Sequence, residues 1–131
     1  MSSLPYLWVA LGSALGGIAR YWCYGFMARR FGETFPWGTL AVNVVGCSFI
    51  GLFAALTGPD GRLLVRSPAR QFVMAGLCGG FTTFSTFSLE TLHLARDGQW
   101  PRVAANVSAS LLLCLAGVWI GYAAGAALNE R

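Results

Sequence analysis

Lysine is absent from this 131-residue chain, and charge of either sign is scarce, with nine arginines, five acidic residues and one histidine. Charged residues are 11% of the total, against about 25% in soluble domains. That is too little to give each of several helices a polar stripe, which excludes a water-soluble helical bundle. The arginines lie scattered among connectors and ends instead of forming a basic block, so nucleic acid is not an expected partner. Cys23, Cys47, Cys78 and Cys114 show no CxxC or metal-like spacing and read as inert buried thiols. No nucleophile elbow or metal-ligand motif is present. Ser88, Glu90 and His93 are close in sequence, but their spacing does not gather all three on one helix face, so no enzyme is expected.

Long apolar runs are what the chain does have. A transmembrane helix needs about 20 mostly apolar residues to cross about 30 Å. Four windows qualify, approximately 4–28, 37–57, 71–95 and 103–128, each holding one cysteine. Within them Arg20 and Glu90 are the only charged residues and His93 the only histidine. The connectors 29–36, 58–70 and 96–102 are short. The expected fold is therefore an all-α integral membrane protein, a single membrane domain over residues 1–131 with four transmembrane helices. The first window lacks a basic n-region and is too long for a signal peptide, so it is expected to stay in the mature protein. Tyr6, Trp8, Tyr21, Trp22, Tyr24, Trp37, Trp100, Trp119 and Tyr122 sit near window ends, as an interfacial aromatic belt requires. Gly58-Pro59-Asp60-Gly61 reads as a turn, and 62–66 as a short interfacial helix ended by Pro68.

Arginine placement carries topological information. With four spans, Arg62, Arg66, Arg70 and Arg131 share one side, and Arg29, Arg30, Arg96 and Arg102 the other. The positive-inside rule then has no bias to act on. Dual topology follows as an expectation, with copies inserted both ways and paired antiparallel. Gly12 and Gly16, and Gly117, Gly121 and Gly125, recur at four-residue spacing, which lets helix backbones approach closely in lipid.

The third window concentrates the polar chemistry. Gly79-Gly80 weakens a helix by about 1 kcal/mol per glycine, and the Thr82 and Thr83 hydroxyls can cap freed backbone. A break near 79–83 is expected. Broken backbone at membrane depth is tolerated only inside protein or along a cavity, and its carbonyls can coordinate a small cation. A plain kink held by neighbouring helices is the alternative. Beyond the break, Phe84 and Phe87 share one helix face, with Ser85, Thr86 and Ser88 on an adjacent strip. Ring edges carry positive potential and hydroxyls donate hydrogen bonds, so the two strips can line a path for an anion. Ordinary core packing is the alternative for the rings.

Asn43 lies mid-window, one turn from Thr39. It reads either as interhelical glue or as a donor to an anion. Asn106 and Ser110 repeat that spacing in the fourth window, with Ser108 between them. Arg20 either snorkels to the interface or draws anions into a vestibule. Glu90 would sit in a vestibule, with His93 as an available partner.

Three stretches together resemble the Fluc (CrcB) fluoride channels of bacteria. They are Gly16-Gly17-Ile18-Ala19-Arg20-Tyr21, Gly38-Thr39-Leu40-Ala41-Val42-Asn43, and the run from Gly76 through Gly79-Gly80-Phe81-Thr82-Thr83-Phe84-Ser85-Thr86-Phe87-Ser88. The resemblance implies an antiparallel dual-topology homodimer in the bacterial inner (plasma) membrane. It also implies two fluoride pores and a central structural sodium ion (Na+). It casts Asn43, Phe84 and Phe87 as the pore asparagine and paired rings, and Ser85, Thr86 and Ser88 as a polar track. The carbonyls of Gly79 and Thr82 become the sodium site and Glu90 the vestibule glutamate. Thr39, Arg20 and Ser110 complete the candidate ion pathway. The expected function is passive fluoride export. The competing readings are a small multidrug-type proton-coupled antiporter, which would want a carboxylate in its binding site, and a non-conducting scaffold.

Overall fold

The computed structural model describes residues 4–130; Arg131, counted above among the flanking arginines, lies outside the described residues. The described chain is helical apart from its connectors and a two-residue break in the third segment. Helix α1 spans Leu4–Phe31 and α2 spans Trp37–Leu56. The third membrane segment is composite. It starts as α3, Ser67–Gln71, widens into a π-helical stretch over Phe72–Cys78, and tightens again as α4, Gly79–Phe81. After two extended residues it resumes as α5, Phe84–Arg96. Helix α6, Trp100–Asn129, completes the fold.

Three stretches are long and apolar enough to cross a membrane, Trp37–Leu56, Ser67–Arg96 and Trp100–Asn129. At 28 residues α1 is also long enough, reaching about 42 Å at about 1.5 Å per residue. Arg20 and the surrounding tyrosine and tryptophan residues dilute its apolar character.

The helices pair through glycine. Helix α1 packs on the third segment, and α2 packs on α6. A Cβ added at Gly12 would lie 2.9 Å from the Gly76 Cα, and one at Gly16 would lie 2.8 Å from the Phe81 nitrogen. On the other side, a Cβ at Gly121 would run into the Ser48 carbonyl, and one at Gly125 would lie 2.7 Å from the Ala55 Cβ. Both four-residue glycine stripes are thus used inside one chain, where backbones meet without intervening side chains.

The connectors are closed by hydrogen bonds. Gly98, at φ 70, occupies the left-handed position after α5, and the Gln99 N–H reaches back to the Leu94 carbonyl at 2.9 Å. This is a Schellman closure, which turns the chain at once into α6. The Gly61 N–H donates to the Gly58 carbonyl at 2.9 Å, closing the turn read from Gly58-Pro59-Asp60-Gly61. Residues 62–66 are not helical, contrary to the expectation above. Pro68 sits in the first turn of α3 and opens that helix instead of ending an earlier one. Its fixed φ suits a helix start, where its missing N–H costs nothing. Arg62 is drawn instead onto the end of α6. Its N–H donates to Asn129 Oδ1 and its Nη1 to the Leu128 carbonyl, both at 3.0 Å.

Few side chains are fully buried; among the described residues the buried apolar ones are Leu40, Val42, Ala55 and Cys78. The exterior is rich in leucine, phenylalanine and tryptophan. Such a surface demands lipid or another protein against it.

Candidate ion pathway

The helix break is the organising feature. Thr82 (φ −84, ψ 160) and Thr83 (φ −155, ψ 120) are both extended, between α4 and α5. Their polar groups are individually provided for. The Thr82 N–H and its hydroxyl both donate to the Cys78 carbonyl, each at 2.9 Å. The Thr83 hydroxyl oxygen accepts from the Thr86 N–H at 3.2 Å and so caps α5. Asn43 of α2 supplies the rest. Its Nδ2 donates to the Thr83 carbonyl at 3.0 Å, and its Oδ1 accepts from the Thr83 N–H at 2.7 Å. One primary amide thereby replaces the two backbone partners that a continuous helix would have supplied. Gly46, three residues beyond Asn43, makes room for this arrangement, because a Cβ there would overlap the Thr82 methyl.

The two readings of Asn43 are therefore compatible. It clamps the break, and Nδ2 still has a second N–H, since a primary amide carries two donors. Asn43, Phe84, Phe87 and Ser110 line one groove of about 400 Å³, together with Gly79, Thr82 and Thr83. The Phe84 and Phe87 ring centroids are 5.3 Å apart, with planes tilted by 51°. Phe84 is 77% exposed in the single chain. Ser110 is buried, and its hydroxyl has no hydrogen-bond partner in the protein.

The hydroxyls beyond the break form a short chain. Thr83 Oγ1 lies 3.1 Å from Ser85 Oγ and donates to Thr86 Oγ1 at 3.1 Å. Ser88 points back along its own helix, donating to the Phe84 carbonyl at 2.9 Å. In this rotamer its proton is engaged and only its lone pairs face outward. Ser85 and Ser88 are exposed in the single chain.

Thr39 and Glu90 are not in that groove. They share a separate cavity of about 230 Å³ with Tyr24, whose hydroxyl lies 3.5 Å from the Thr39 oxygen. A further cavity of about 350 Å³ brings Glu90 together with Glu33, His93, Asp97 and Arg102. Arg20 approaches the break from α1, and its Nη1 lies 3.3 Å from the Thr82 carbonyl. It turns inward to the break and does not snorkel outward.

Three residues take a larger part than the sequence reading assigned to them. Thr83, read there only as a cap, is the hub where Asn43, Ser85 and Thr86 meet. The Thr-Phe-Ser-Thr order following a glycine pair was the available signal for a capped helix start. Thr91 accepts from the Asn106 Nδ2 at 3.0 Å, tying α5 to α6 and leaving Asn106 Oδ1 buried without a partner. Tyr24, read as part of an aromatic belt, faces Thr39 across the helix pair. Neither of the last two has a local sequence signature, because each meets its partner across two helices.

The chain is similar in sequence to known proteins over most of its length. Residues 7–122 match the family model described as CrcB-like protein, Camphor Resistance (CrcB). A protein of Opitutus terrae named fluoride-specific ion channel FluC is 58% identical over 125 residues, covering 95% of each chain. Proteins of the same name from Methylocella silvestris and Rhodospirillum rubrum are 52% and 53% identical, each over 127 residues. Those alignments cover 97% of this chain and 97% and 98% of the relatives.

Proposed function

The chain belongs to the CrcB family, and from that premise we propose that it is a fluoride-selective channel that lets fluoride leave the cytoplasm passively, limiting its toxicity. The supporting observation within the molecule is the groove at the helix break. It brings an amide N–H, an unpartnered hydroxyl and two aromatic rings together without a cation in its wall. Fluoride is small and strongly hydrated, so entering protein requires donors in place of water. Neutral donors and positive ring edges replace that shell without holding the ion too tightly. The antiporter reading finds no support in the named relatives, and the membrane carboxylate Glu90 stands outside the groove.

The working unit is an antiparallel, dual-topology homodimer with two pores in the bacterial inner membrane, surrounded by lipid. One chain leaves Phe84 largely uncovered, and a second copy would close the groove. In this reading Asn43, Phe84, Phe87 and Ser110 contact the ion at the constriction, and Ser85, Thr86 and Ser88 extend its path. Thr39 and Glu90 line an outer chamber, and Arg20 concentrates anions near the break.

A sodium ion at the dimer centre suits the donors present in part. The Gly79 carbonyl loses its usual helical donor, because the Thr83 N–H turns to Asn43. The Thr82 carbonyl lies at the same break. Both are hard oxygens of the kind alkali and alkaline-earth cations accept. One chain offers two, so a complete set needs the second copy. Arg20 is the opposing feature, since its guanidinium already approaches Thr82 and must withdraw for a cation to seat there.

The test is fluoride efflux from liposomes holding the purified protein. Rapid, proton-independent and fluoride-selective efflux is expected. Drug-dependent proton exchange would establish the antiporter instead, and absence of flux the scaffold.

A further inference from the structure

We propose that the Asn106 amide is a further fluoride contact, a turning station that passes the ion between the groove at the helix break and the outer chamber. As a fluoride contact it rests on the channel reading above. The two spaces leave an interval between them on both helices. On α6, Ser110 lines the groove and Arg102 lines the cavity of about 350 Å³ shared with Glu90. Asn106 lies one turn from each, on the same helix face. On α5, Phe87 lines the groove and Glu90 the outer cavities. Thr91, one turn beyond Phe87, accepts from the Asn106 Nδ2 at 3.0 Å. The Asn106–Thr91 contact therefore stands in the partition between the two spaces.

The partition is polar and incompletely satisfied. Asn106 is 1% exposed, and its Oδ1 has no hydrogen-bond partner in the protein. Buried polar groups are nearly always paired, so an orphan calls for a reason other than packing. As oriented, the amide offers an acceptor, which an anion avoids. The Thr91 hydroxyl is spent on the Phe87 carbonyl at 2.7 Å, so Thr91 can only accept from Asn106. Turning the amide end over end exchanges these roles. Oδ1 then accepts from the Thr91 hydroxyl, and Nδ2 aims its N–H groups where Oδ1 stood. The Phe87 carbonyl keeps the Thr91 N–H, its helical partner, and is not orphaned. Empty, the turned state retains one side-chain hydrogen bond where the observed state has two, so the observed orientation is the resting one. Fluoride is the acceptor that the turned Nδ2 lacks, and it selects that state. The amide turns back as the ion leaves, so the contact is not a trap, as conduction requires.

The experiment uses the full-length protein in detergent micelles, carrying nitrogen-15 at asparagine only. The chain has three asparagines, Asn43, Asn106 and Asn129, so its side-chain amide spectrum is simple. The Asn106 signal is identified by its loss in Asn106→Leu. Sodium fluoride should move that signal, and sodium chloride at the same concentration should leave it in place. Asn129 Nδ2 is tied to the Ala55 carbonyl, outside both cavities, and serves as the internal control. In liposomes, Asn106→Leu should lower fluoride efflux by about tenfold or more. Its melting temperature should not fall, because the substitution removes an orphan along with one bond. Should that variant not fold, Thr91→Val and Thr91→Ser decide. The valine lacks the hydroxyl that a turned Oδ1 needs and should slow efflux, whereas the serine keeps it and should match the wild type. A fluoride shift at Asn43 with none at Asn106, or wild-type efflux in both Asn106→Leu and Thr91→Val, overturns the inference and leaves the channel reading intact. If the unaltered protein passes no fluoride, the channel reading falls, while the Asn106 signal still decides whether its amide takes the anion.

Discussion

At the scale of single residues, Asn43 and the two phenylalanines carry separable burdens. Asn43 answers both the N–H and the carbonyl of Thr83. Asn43→Ala orphans both at membrane depth, at a cost of about 1–3 kcal/mol for each unsatisfied group. A lower melting temperature in detergent and a loss of efflux are expected together. An alanine variant with wild-type melting and wild-type efflux would remove the clamp from the mechanism. Phe84 differs, because it is 77% exposed in the single chain and little intrachain packing depends on it. Phe84→Ile, and likewise Phe87→Ile, should reduce fluoride efflux at least tenfold, a barrier change of about 1.4 kcal/mol, while the protein stays folded and its elution on size exclusion is unchanged. Wild-type efflux in both variants would eliminate ring edges as the anion's contacts. The glycine pair and threonine pair in one apolar run made the break legible. The amide that secures it was legible only as a costly polar group in need of some partner, because its partner is backbone of another helix.

At the scale of elements, close approach and its direction are written differently into the chain. The four-residue spacing of Gly12 and Gly16 announces a tight contact but not which helix fills it. Only the fold reveals that α1 seats on the π-helical stretch and α4, and that α6 takes its stripe to α2. The π-helical register over Phe72–Cys78, the stretch on which α1 packs, had no sequence signature. The adjacent pair Gly16 and Gly17 gives an internal control. A Cβ at Gly16 would meet the backbone of Leu77, Gly80 and Phe81, whereas one at Gly17 meets nothing within 4 Å. Gly16→Ala is expected to destabilise by roughly 1–3 kcal/mol, as overpacking does. Gly17→Ala should be neutral or gain up to about 1 kcal/mol from helix propensity. Thermal melts of the two variants in the same detergent decide the matter, and equal melting temperatures would refute the close seating of α1.

At the scale of the whole molecule, the apolar exterior and the charge balance point the same way. Phe84, Ser85 and Ser88 are exposed on one chain; the ring suits acyl chains, but the two hydroxyls beside it do not. A second copy facing them would satisfy both kinds of group at once. The arginines that would normally fix orientation are four on each side by the four-span count. One of them is already occupied, as Arg62 caps the Leu128 carbonyl at the end of α6. Such a chain gives the insertion machinery little reason to prefer one direction, and an antiparallel pair then needs no special chaperoning of topology. In inverted and right-side-out vesicles, a C-terminal cysteine tag on a cysteine-free variant should react with an impermeant maleimide in about half of the molecules from either face, as an absent positive-inside bias requires. Adding two lysines to the connector 96–102 should drive the tag to one face and, when that variant is expressed alone, abolish efflux by leaving each copy without an oppositely inserted partner. Efflux restored by co-expressing a second variant, with two lysines added to the connector 58–70 instead, would tie conduction to antiparallel pairing. A tag found on a single face in the unaltered chain, with efflux intact, would refute dual topology.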